Sequence, residues 1–262
     1  MPFTDRAGHQ IHYQVRGPAE APPLLLIMGL ALSSRAWDTL PERLAKNFRV
    51  ITFDNRGTGR SSRGGWAFRM RDLADDAAAV LDAAGVSGTN LFGISMGGMI
   101  AQEFALRHPE RVLRLALGAT FAGWLRSHKP GLCTQLDLLL MNLGRNSEKR
   151  VSRVLVSPGW QAKNPHSAVD WIRRAEATTL RFALAQMAAI GRHTTARRLS
   201  RIAAPTLVIT GDADKLVPAR NSQELARLIP NARLVLLRGA GHAFPLERED
   251  ETVRALEQHF LG

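Results

Sequence analysis

Residues 90–98 read NLFGISMGG, and they hold the motif GISMG at positions 93–97. Residues 90–94 have the continuous apolar character of a buried strand, and residues 97–107 have the pattern of a helix. Ser95 therefore stands in a tight turn from strand to helix, which needs small residues on both sides because the backbone folds back on itself. Such a turn lifts the hydroxyl above the sheet, beside the free N–H groups of a helix N-terminus. This context favours a nucleophilic serine over one that only caps a helix.

The rest of the chain alternates in the same way between short apolar runs and longer amphipathic stretches. We expect strands at residues 24–28, 50–54, 90–94, 113–117, 205–210 and 234–237, and helices at residues 36–46, 70–84, 97–107, 222–228 and 249–260. Continuous apolar strands joined by helices are typical of a parallel sheet that is covered on both faces. The sequence therefore predicts an α/β protein with a doubly wound, mostly parallel sheet.

One long interval, residues 121–204, contains no convincing strand. Its patterns predict helices at residues 132–143, 147–155 and 168–190. So much helix between two strands exceeds any ordinary crossover connection. We interpret the interval as a helical cap that is inserted into a core domain formed by residues 1–120 and 205–262.

A serine hydroxyl is too weakly acidic to attack an ester unaided, so it needs a base and a group that orients the base. His242 ends the stretch RGAGH directly after the last predicted strand, and the small residues there let the loop turn back over the sheet. The other seven histidines fall in an N-terminal hairpin, at helix ends or in the cap. We therefore predict that His242 is the base.

The orienting acid is expected after the strand at residues 205–210. Asp212 and Asp214 both occur there, in the stretch GDADKLVP. Asp212 directly follows the strand and can form the turn through its own backbone, whereas Asp214 lies deeper in the loop and can reach a histidine above the sheet. We prefer Asp214. The resulting chain order of serine, aspartate and histidine is the order of a nucleophile-elbow hydrolase.

An oxyanion hole needs two backbone N–H donors. One is expected from Met96, the residue after the serine. The second is expected from Leu30, because Gly29 permits a tight turn after the strand at residues 24–28.

With these residues in place, the chain resembles the α/β-hydrolase superfamily over nearly its whole length. The elbow GISMGG, the acid motif GDADKLVP, the histidine motif GAGHAFPLE and the segment FDNRGTGRS at residues 53–61 stand where that family places them. The resemblance implies the α/β-hydrolase fold, with about eight strands and an inserted helical cap. One position departs from the family pattern, since many relatives carry His-Gly where this chain has Met28-Gly29. The backbone donor remains, but a side chain that often props the loop is absent.

The identity of the elbow residue narrows the resemblance. Ser95 excludes the branches that use an aspartate there, such as haloalkane dehalogenases and epoxide hydrolases. The chain looks most similar to 3-oxoadipate enol-lactonases, small carboxylesterases and cofactor-free perhydrolases. This resemblance implies acyl transfer from a small-molecule ester or lactone to water, with no metal and no organic cofactor. C–C bond hydrolysis, thioester hydrolysis and peracid formation on the same triad stay open, as does a non-enzymatic or single-turnover ligand receptor on the same fold.

The candidate pocket residues are Phe121, Leu140, Met141 and Trp160. Phe121 follows the strand at residues 113–117, and the others belong to the cap. The cap's leucine stripe consists of Leu136, Leu139, Leu140 and Leu143, with Met141. Such a stripe is typical of core that can also line a pocket. Asp54 and Arg56 are expected to hold their loop by pairing with each other or with turn backbone, and not to bind substrate.

The 262 residues carry a net charge of +12, which at first suggests a nucleic-acid partner. A basic stripe with interleaved aromatic residues is missing, however, and the chain has a single tyrosine, so we expect no nucleic acid. The charge is uneven. The cap has 14 Lys and Arg against four Asp and Glu, whereas the remainder has 21 against 19. This excess is either a solvated helical surface or a field that attracts carboxylate-bearing substrates or an anionic surface.

Sequence features also bear on location. The only cysteine, Cys133, excludes an intramolecular disulfide and any cysteine-based metal cluster. The first twenty residues contain no apolar segment of the kind found in secretory signals. The longest apolar run, residues 21–32, is too short to span a bilayer. We therefore expect a cytoplasmic protein with no integral membrane segment.

Overall fold

The computed structural model describes residues 2–62, 65–142, 147–176 and 178–262. Its strands are β1 (Phe3–Arg6), β2 (His9–Arg16), β3 (Pro23–Ile27), β4 (Arg49–Phe53), β5 (Thr89–Ile94), β6 (Val112–Gly118), β7 (Thr206–Gly211) and β8 (Ala232–Leu237). Its helices are α1 (Leu40–Leu44), α2 (Met70–Ala83), α3 (Met96–Arg107), α4 (Leu132–Asn142), α5 (Ser147–Leu155), α6 (Pro158–Lys163), α7 (Ser167–Arg174), α8 (Leu180–Gly191), α9 (Arg220–Leu228), α10 (Phe244–Glu247) and α11 (Glu249–Leu261).

The eight strands form one sheet in the order β1-β2-β4-β3-β5-β6-β7-β8. β2 pairs antiparallel with β1 and with β4, and every later pair in that order is parallel. The loops after the parallel strands therefore emerge together at one edge of the sheet, where ligands bind in open α/β sheets. The predicted α/β-hydrolase fold with a doubly wound, mostly parallel sheet is confirmed.

Both faces of the sheet are buried, as the continuous apolar strands predict. In β3, Leu25 and Ile27 pack in a cluster with residues of α2 and α3. The alternate residues Leu24 and Leu26 pack on the opposite face with residues of α1 and α11. Because side chains alternate across a strand, one five-residue run supplies core to both helix layers.

In its described residues, the chain between β6 and β7 forms helices joined by loops, and its only strand-like pairing is one bridge between Gly123 and Thr194. That bridge, with a hydrogen bond from Thr195 N–H to the carbonyl of Ala122, joins the points where the chain leaves and returns. The division into a core of residues 1–120 and 205–262 and a cap of residues 121–204 stays a prediction.

The predicted single helix over residues 168–190 is wrong, because the structure has two helices there, α7 and α8. α7 ends at Arg174, and Glu176 has a φ of +46°, which a continuing right-handed helix does not allow. Thr179 is extended and precedes α8. β-Branched residues at this point favour the extended break.

The leucine stripe of α4 does not pack as core. Leu136 and Leu139 are 54% and 57% exposed, while Asp137 is only 4% exposed. Asp137 accepts hydrogen bonds from Arg150 and Arg153 of the neighbouring helix α5, so ion pairing turns the acidic side inward and the leucines outward. The stripe's last member, Leu143, lies outside the described residues. No helix among the described residues is long and apolar enough to cross a membrane.

Candidate active site

Ser95 joins β5 to α3 in a backbone conformation that is rare outside glycine, with φ +55° and ψ −121°. The turn is closed on both sides by glycine. A Cβ on Gly93 would lie 2.2 Å from the carbonyl oxygen of Gly97, and one on Gly97 would lie 2.0 Å from that of Ile27. No other residue fits at either position without moving the backbone. Ser95 itself is half-buried at the end of the sheet.

His242 and Asp214 meet beside this turn. His242 follows β8, and Asp214 follows β7. The two are joined by a hydrogen bond of 2.8 Å between Nδ1 of the imidazole and Oδ2 of the carboxylate. The other carboxylate oxygen accepts from the N–H groups of Leu216 at 2.9 Å and Val217 at 2.8 Å. Asp214 is therefore held in one orientation, with one carboxylate oxygen on loop backbone and the other on Nδ1 of His242.

The neighbouring acid, Asp212, has a different place. Its Oδ1 accepts a hydrogen bond from the N–H of Gly239 at 2.6 Å. This bond ties the loop after β7 to the loop after β8. Asp212 therefore joins the two loops that carry Asp214 and His242, and among the described residues no hydrogen bond or ion pair joins it to the imidazole.

Ser95 and His242 line the same cavity of about 680 Å³. Among the described residues, no hydrogen bond joins the serine hydroxyl to the imidazole. Catalytic hydrogen bonds in ligand-free enzymes are often longer than in the substrate complex. The two side chains thus face one space.

The loop after β3 runs beside the serine. A Cβ on Gly29 would lie 3.2 Å from Cβ of Ser95. The N–H groups of Leu30 and Met96 have no hydrogen-bond acceptor among the described residues. In place of the histidine found in many relatives, Nδ2 of Asn55 props the loop by donating to the carbonyl of Met28 at 3.0 Å.

The cavity is lined mainly by apolar side chains. Of the predicted pocket residues, Phe121 lies in its wall. Leu140 does not, although Leu138 of the same helix does. Trp160 packs instead with Val156 and Ala168 in a separate apolar cluster. The side chain of the fourth candidate, Met141, lies outside the described part of the chain.

Charged residues of the cavity wall are of two kinds. Two acids are paired with arginines. Asp38 accepts from Arg174 at 3.1 Å, and Glu249 lies 3.3 Å from Arg43. Lys129 is the only lysine or arginine in the described wall, and its ammonium lies 3.7 Å from the ring centre of Trp124. Burial lowers the pKa of Lys129 from its usual value. A lysine over an aromatic face is stabilised by a cation–π interaction.

Sequence reasoning missed Glu247, which is 4% exposed. Its Oε1 accepts from the N–H groups of Gly241 at 2.8 Å and of Ser157 at 3.1 Å, and its Oε2 accepts from the Ser157 hydroxyl at 2.5 Å. One buried carboxylate thus joins the residue before His242 to the start of cap helix α6. In the sequence, the feature that could have indicated Glu247 is a lone acid five residues after the histidine, in the apolar stretch AFPLE.

Gln186 was missed as well. This fully buried residue of cap helix α8 accepts a hydrogen bond from the N–H of Ala31 at 2.8 Å. Two further bonds join the same loop to the cap, from Thr178 N–H to the Ala31 carbonyl and from Ser33 N–H to the Ala175 carbonyl, both 3.0 Å. The loop that holds Leu30 is therefore fixed by hydrogen bonds to the cap. In the sequence, Gln186 is indicated only by being a single glutamine on an apolar helix.

Asp54 and Arg56 hold loops but do not pair with each other. Asp54 accepts from the N–H of Ser34 at 2.7 Å and from the N–H of Arg60 at 3.0 Å. Arg56 instead makes two hydrogen bonds to Asp76, at 2.5 and 2.6 Å. Of the two expected arrangements, Asp54 has the bonds to turn backbone, whereas Arg56 pairs with Asp76 and not with Asp54.

Comparison with known proteins gives consistent results. A family model described as alpha/beta hydrolase fold matches residues 22–249. RutD of Azorhizobium caulinodans, a proposed carbamate hydrolase, is 31% identical in an alignment 255 positions long that covers 93% of this chain and 92% of RutD. The rhodomycin D methylesterase DauP of a Streptomyces species is 34% identical in an alignment 276 positions long, gaps included, that covers 92% of this chain and 91% of DauP. The crystal structure of the enol-lactonase from Burkholderia xenovorans superposes with a TM-score of 0.88 at 25% identity, and each chain is covered completely.

These matches agree with the fold and extend over nearly the whole chain. The family model covers both the strand that precedes Gly29 and the loop that holds His242. The two sequence relatives exceed 30% identity over nine-tenths of this chain. The protein therefore belongs to the α/β-hydrolase fold family.

Proposed function

We propose that this protein is a serine hydrolase that cleaves a carboxylic ester or a lactone through an acyl-enzyme intermediate. The observation that carries the proposal is the 2.8 Å hydrogen bond between His242 and the fixed carboxylate of Asp214, in a cavity that Ser95 shares. An imidazole whose Nδ1 proton is held by a carboxylate presents Nε2 as a base. A serine on a strained turn beside it is the nucleophile that such a base activates.

Acylation begins when Oγ of Ser95 attacks the substrate carbonyl while its proton passes to Nε2 of His242. The carbonyl oxygen becomes an oxyanion and accepts hydrogen bonds from the N–H groups of Leu30 and Met96, which have no other acceptor. The tetrahedral intermediate then breaks its bond to the alkoxy group. The leaving oxygen takes the proton from His242, and the acyl group stays on Ser95.

Deacylation repeats the same steps with water. His242 takes a proton from a water molecule, and the hydroxide attacks the acyl carbonyl. The second tetrahedral intermediate expels Oγ of Ser95, which recovers its proton from His242. Asp214 stays ionised throughout, because its task is to fix the imidazole tautomer and to stabilise the imidazolium.

Glu247 and Gln186 serve this mechanism as positioning residues. Glu247 fixes the loop of His242 through Gly241, and Gln186 fixes the loop of Leu30 through Ala31. Neither side chain is among the residues that line the cavity. Each acts through the backbone of a catalytic loop, so its loss is expected to affect kcat more than KM.

The relatives support acyl transfer and leave the leaving group open. The names of these relatives, a methylesterase, an enol-lactonase and a proposed carbamate hydrolase, point to substrates with a carbonyl carbon that bears oxygen or nitrogen. Attack by Ser95 on any such carbonyl would give an oxyanion. The apolar cavity favours an ester or lactone with a sizeable hydrocarbon part.

Replacement of the nucleophile tests the proposal directly. Ser95→Ala is expected to lower kcat/KM for a 4-nitrophenyl ester by a factor on the order of 10⁶, because the triad acts as a unit. The exposed serine of the 3-10 helix Leu199–Arg201 gives the control, and Ser200→Ala should keep full activity. If Ser95→Ala retains most of its turnover while folded, the hydrolase assignment is wrong.

The two aspartates of one loop make a matched pair. Asp214→Asn should lower kcat by a factor of about 10⁴, because the amide donates to Nδ1 and reverses the imidazole tautomer. Asp212→Asn keeps an oxygen for the N–H of Gly239 and should retain activity within about threefold, since Asp212 does not touch the imidazole. Steady-state kinetics on one ester compares them. Equal losses in both variants would contradict the assigned roles.

Glu247 is tested by two substitutions that differ in hydrogen bonding. Glu247→Ala leaves the N–H groups of Gly241 and Ser157 unpaired and should lower kcat by about a hundredfold with KM nearly unchanged. Glu247→Gln keeps an acceptor oxygen and should restore most of kcat. Glu251→Ala, an exposed acid of α11, is the control. A loss in the alanine variant that appears only as lower thermal stability, with unchanged kcat, would refute the positioning role.

The charge of the substrate is open to test through Lys129. We compare the 4-nitrophenyl monoester of a dicarboxylic acid with a neutral ester of equal chain length. If the cap attracts anionic substrates, added salt should lower kcat/KM more for the anionic ester, and Lys129→Met should narrow the difference. Lys163→Met removes one cap charge away from the cavity and is the control. Equal salt responses for both esters would favour a solvated surface with no steering role.

A further inference from the structure

The outer surface of the cap is unusually apolar. Fourteen large apolar side chains are exposed among the described residues, and eight of them lie between residues 124 and 187. These eight are Trp124, Leu125, Leu132, Leu136, Leu139, Leu180, Leu184 and Met187. We name them the outer cap face. Exposed apolar side chains that are concentrated in one part of a monomer are typical of an interaction site.

Two helices supply six of these side chains, and both helices border the cavity, α4 through Leu138 and α8 through Met187. Leu132, Leu136 and Leu139 recur on α4 at helical spacing, and Leu180, Leu184 and Met187 recur on α8 with the same spacing. These exposed leucines are 54–83% accessible on both helices. A surface helix of a monomer normally turns this stripe toward its own core, so the reversal needs a partner outside the chain.

The face shares two residues with the wall of the cavity that Ser95 and His242 line. Trp124 and Met187 are 43% and 48% exposed, and both also line the cavity. They belong to two different segments of the cap. An apolar molecule at the outer cap face would therefore meet the cavity without crossing a polar rim at these two residues.

Positive charge accompanies the apolar residues. Arg126 and Lys129 lie in the chain between Leu125 and α4, and Arg181 follows the first residue of α8. The guanidinium of Arg181 lies 5.5 Å from the ring centre of Trp66, a further exposed tryptophan. Tryptophan and basic residues beside an apolar helix face are typical of segments that lie in a membrane interface.

Among the described residues, α4 and α8 expose no acidic side chain. α4 has one acid, Asp137, which is turned inward onto Arg150 and Arg153. α8 has none. The cap as a whole carries 14 basic residues against four acidic ones. Two such caps would repel each other, which disfavours a second copy of the chain as the partner, whereas an anionic surface would be attracted.

From these observations we infer that the outer cap face docks on an anionic lipid surface, with the leucines in the interface and the arginines and lysines against the headgroups. This docking goes beyond the proposed hydrolysis and does not depend on it. It places the mouth of the apolar cavity at the lipid surface, where esters of low solubility are concentrated.

Vesicle sedimentation tests the docking. We use vesicles of phosphatidylcholine alone and of phosphatidylcholine with phosphatidylglycerol in equal amounts. The wild type should bind the anionic vesicles at least about tenfold more tightly, and 0.5 M salt should weaken this binding, since anionic lipid attracts basic residues near the surface. Absence of binding to the anionic vesicles at low salt would overturn the inference.

Two triple variants locate the surface. Leu132→Gln/Leu136→Gln/Leu139→Gln should lower the affinity for anionic vesicles by at least about tenfold, because three apolar side chains leave the interface. Leu113→Gln/Leu236→Gln/Leu261→Gln changes three leucines of similar exposure outside the cap and should bind as the wild type does. Equal binding by both variants would overturn the inference. The inference would also be overturned if light scattering shows a dimer of the wild type that is lost in the cap variant and kept in the other variant. A second copy of the chain would then cover the face.

Activity on a soluble short-chain ester separates docking from catalysis. Both triple variants should keep this activity, since none of the six leucines lines the cavity. Ser95→Ala should bind vesicles as tightly as the wild type. If the wild type binds vesicles but hydrolyses no ester, the proposed function fails and the docking stands. If the cap variant alone loses activity on the soluble ester, the face is part of the active site and the docking is wrong.

Discussion

The close approach of three backbone segments at Ser95 is the constraint on which the site depends. The start of α3 passes so near the end of β3 that a Cβ on Gly97 would lie 2.0 Å from the carbonyl of Ile27. This contact sets the N–H of Met96 beside the loop of Gly29 and Leu30, and it forces Ser95 to a φ of +55°. The strained serine and the two N–H donors, which have no acceptor in the described part of the chain, thus lie on three closely packed segments, and moving any of these would disturb the others.

Hydrogen bonds from the cap hold two loops that follow strands of the sheet. The loops after β3 and β8 leave the sheet without regular structure to hold them, and each is fixed by a hydrogen bond to the cap. Gln186 of α8 accepts from Ala31, and Ser157 before α6 donates to Glu247, which also accepts from Gly241. These groups are buried, so an unpaired donor there would be costly and the bonds are not readily exchanged for water. Removing or opening the cap is therefore expected to loosen the oxyanion loop and the histidine loop together.

Local patterns predicted the sheet and the residues at its edge. Strands such as β5 and β7 follow from apolar runs between turn residues, and their observed ends differ from the predicted ones by no more than one residue. Hydrogen bonds between residues far apart in sequence could not be predicted in this way. Gln186 lies 155 positions from Ala31, and Glu247 lies 90 positions from Ser157. The cap helices were predicted less well because helical periodicity shows that a face is apolar and cannot show which way it turns.

The orientation of α4 shows why that ambiguity matters. Its leucines alone predict burial, but Asp137 lies on the opposite side and is buried with two arginines of α5. Burying a lone carboxylate costs several kcal/mol, so the helix gains more by pairing Asp137 inward than by burying leucines that a partner can cover later. The cap then has two surfaces with separate tasks. Its inner side holds the loops of Leu30 and His242 through buried hydrogen bonds, while its outer side carries the exposed leucines and meets the cavity at Trp124 and Met187. Changes at the six other residues of the outer cap face are therefore expected to leave the cavity wall intact.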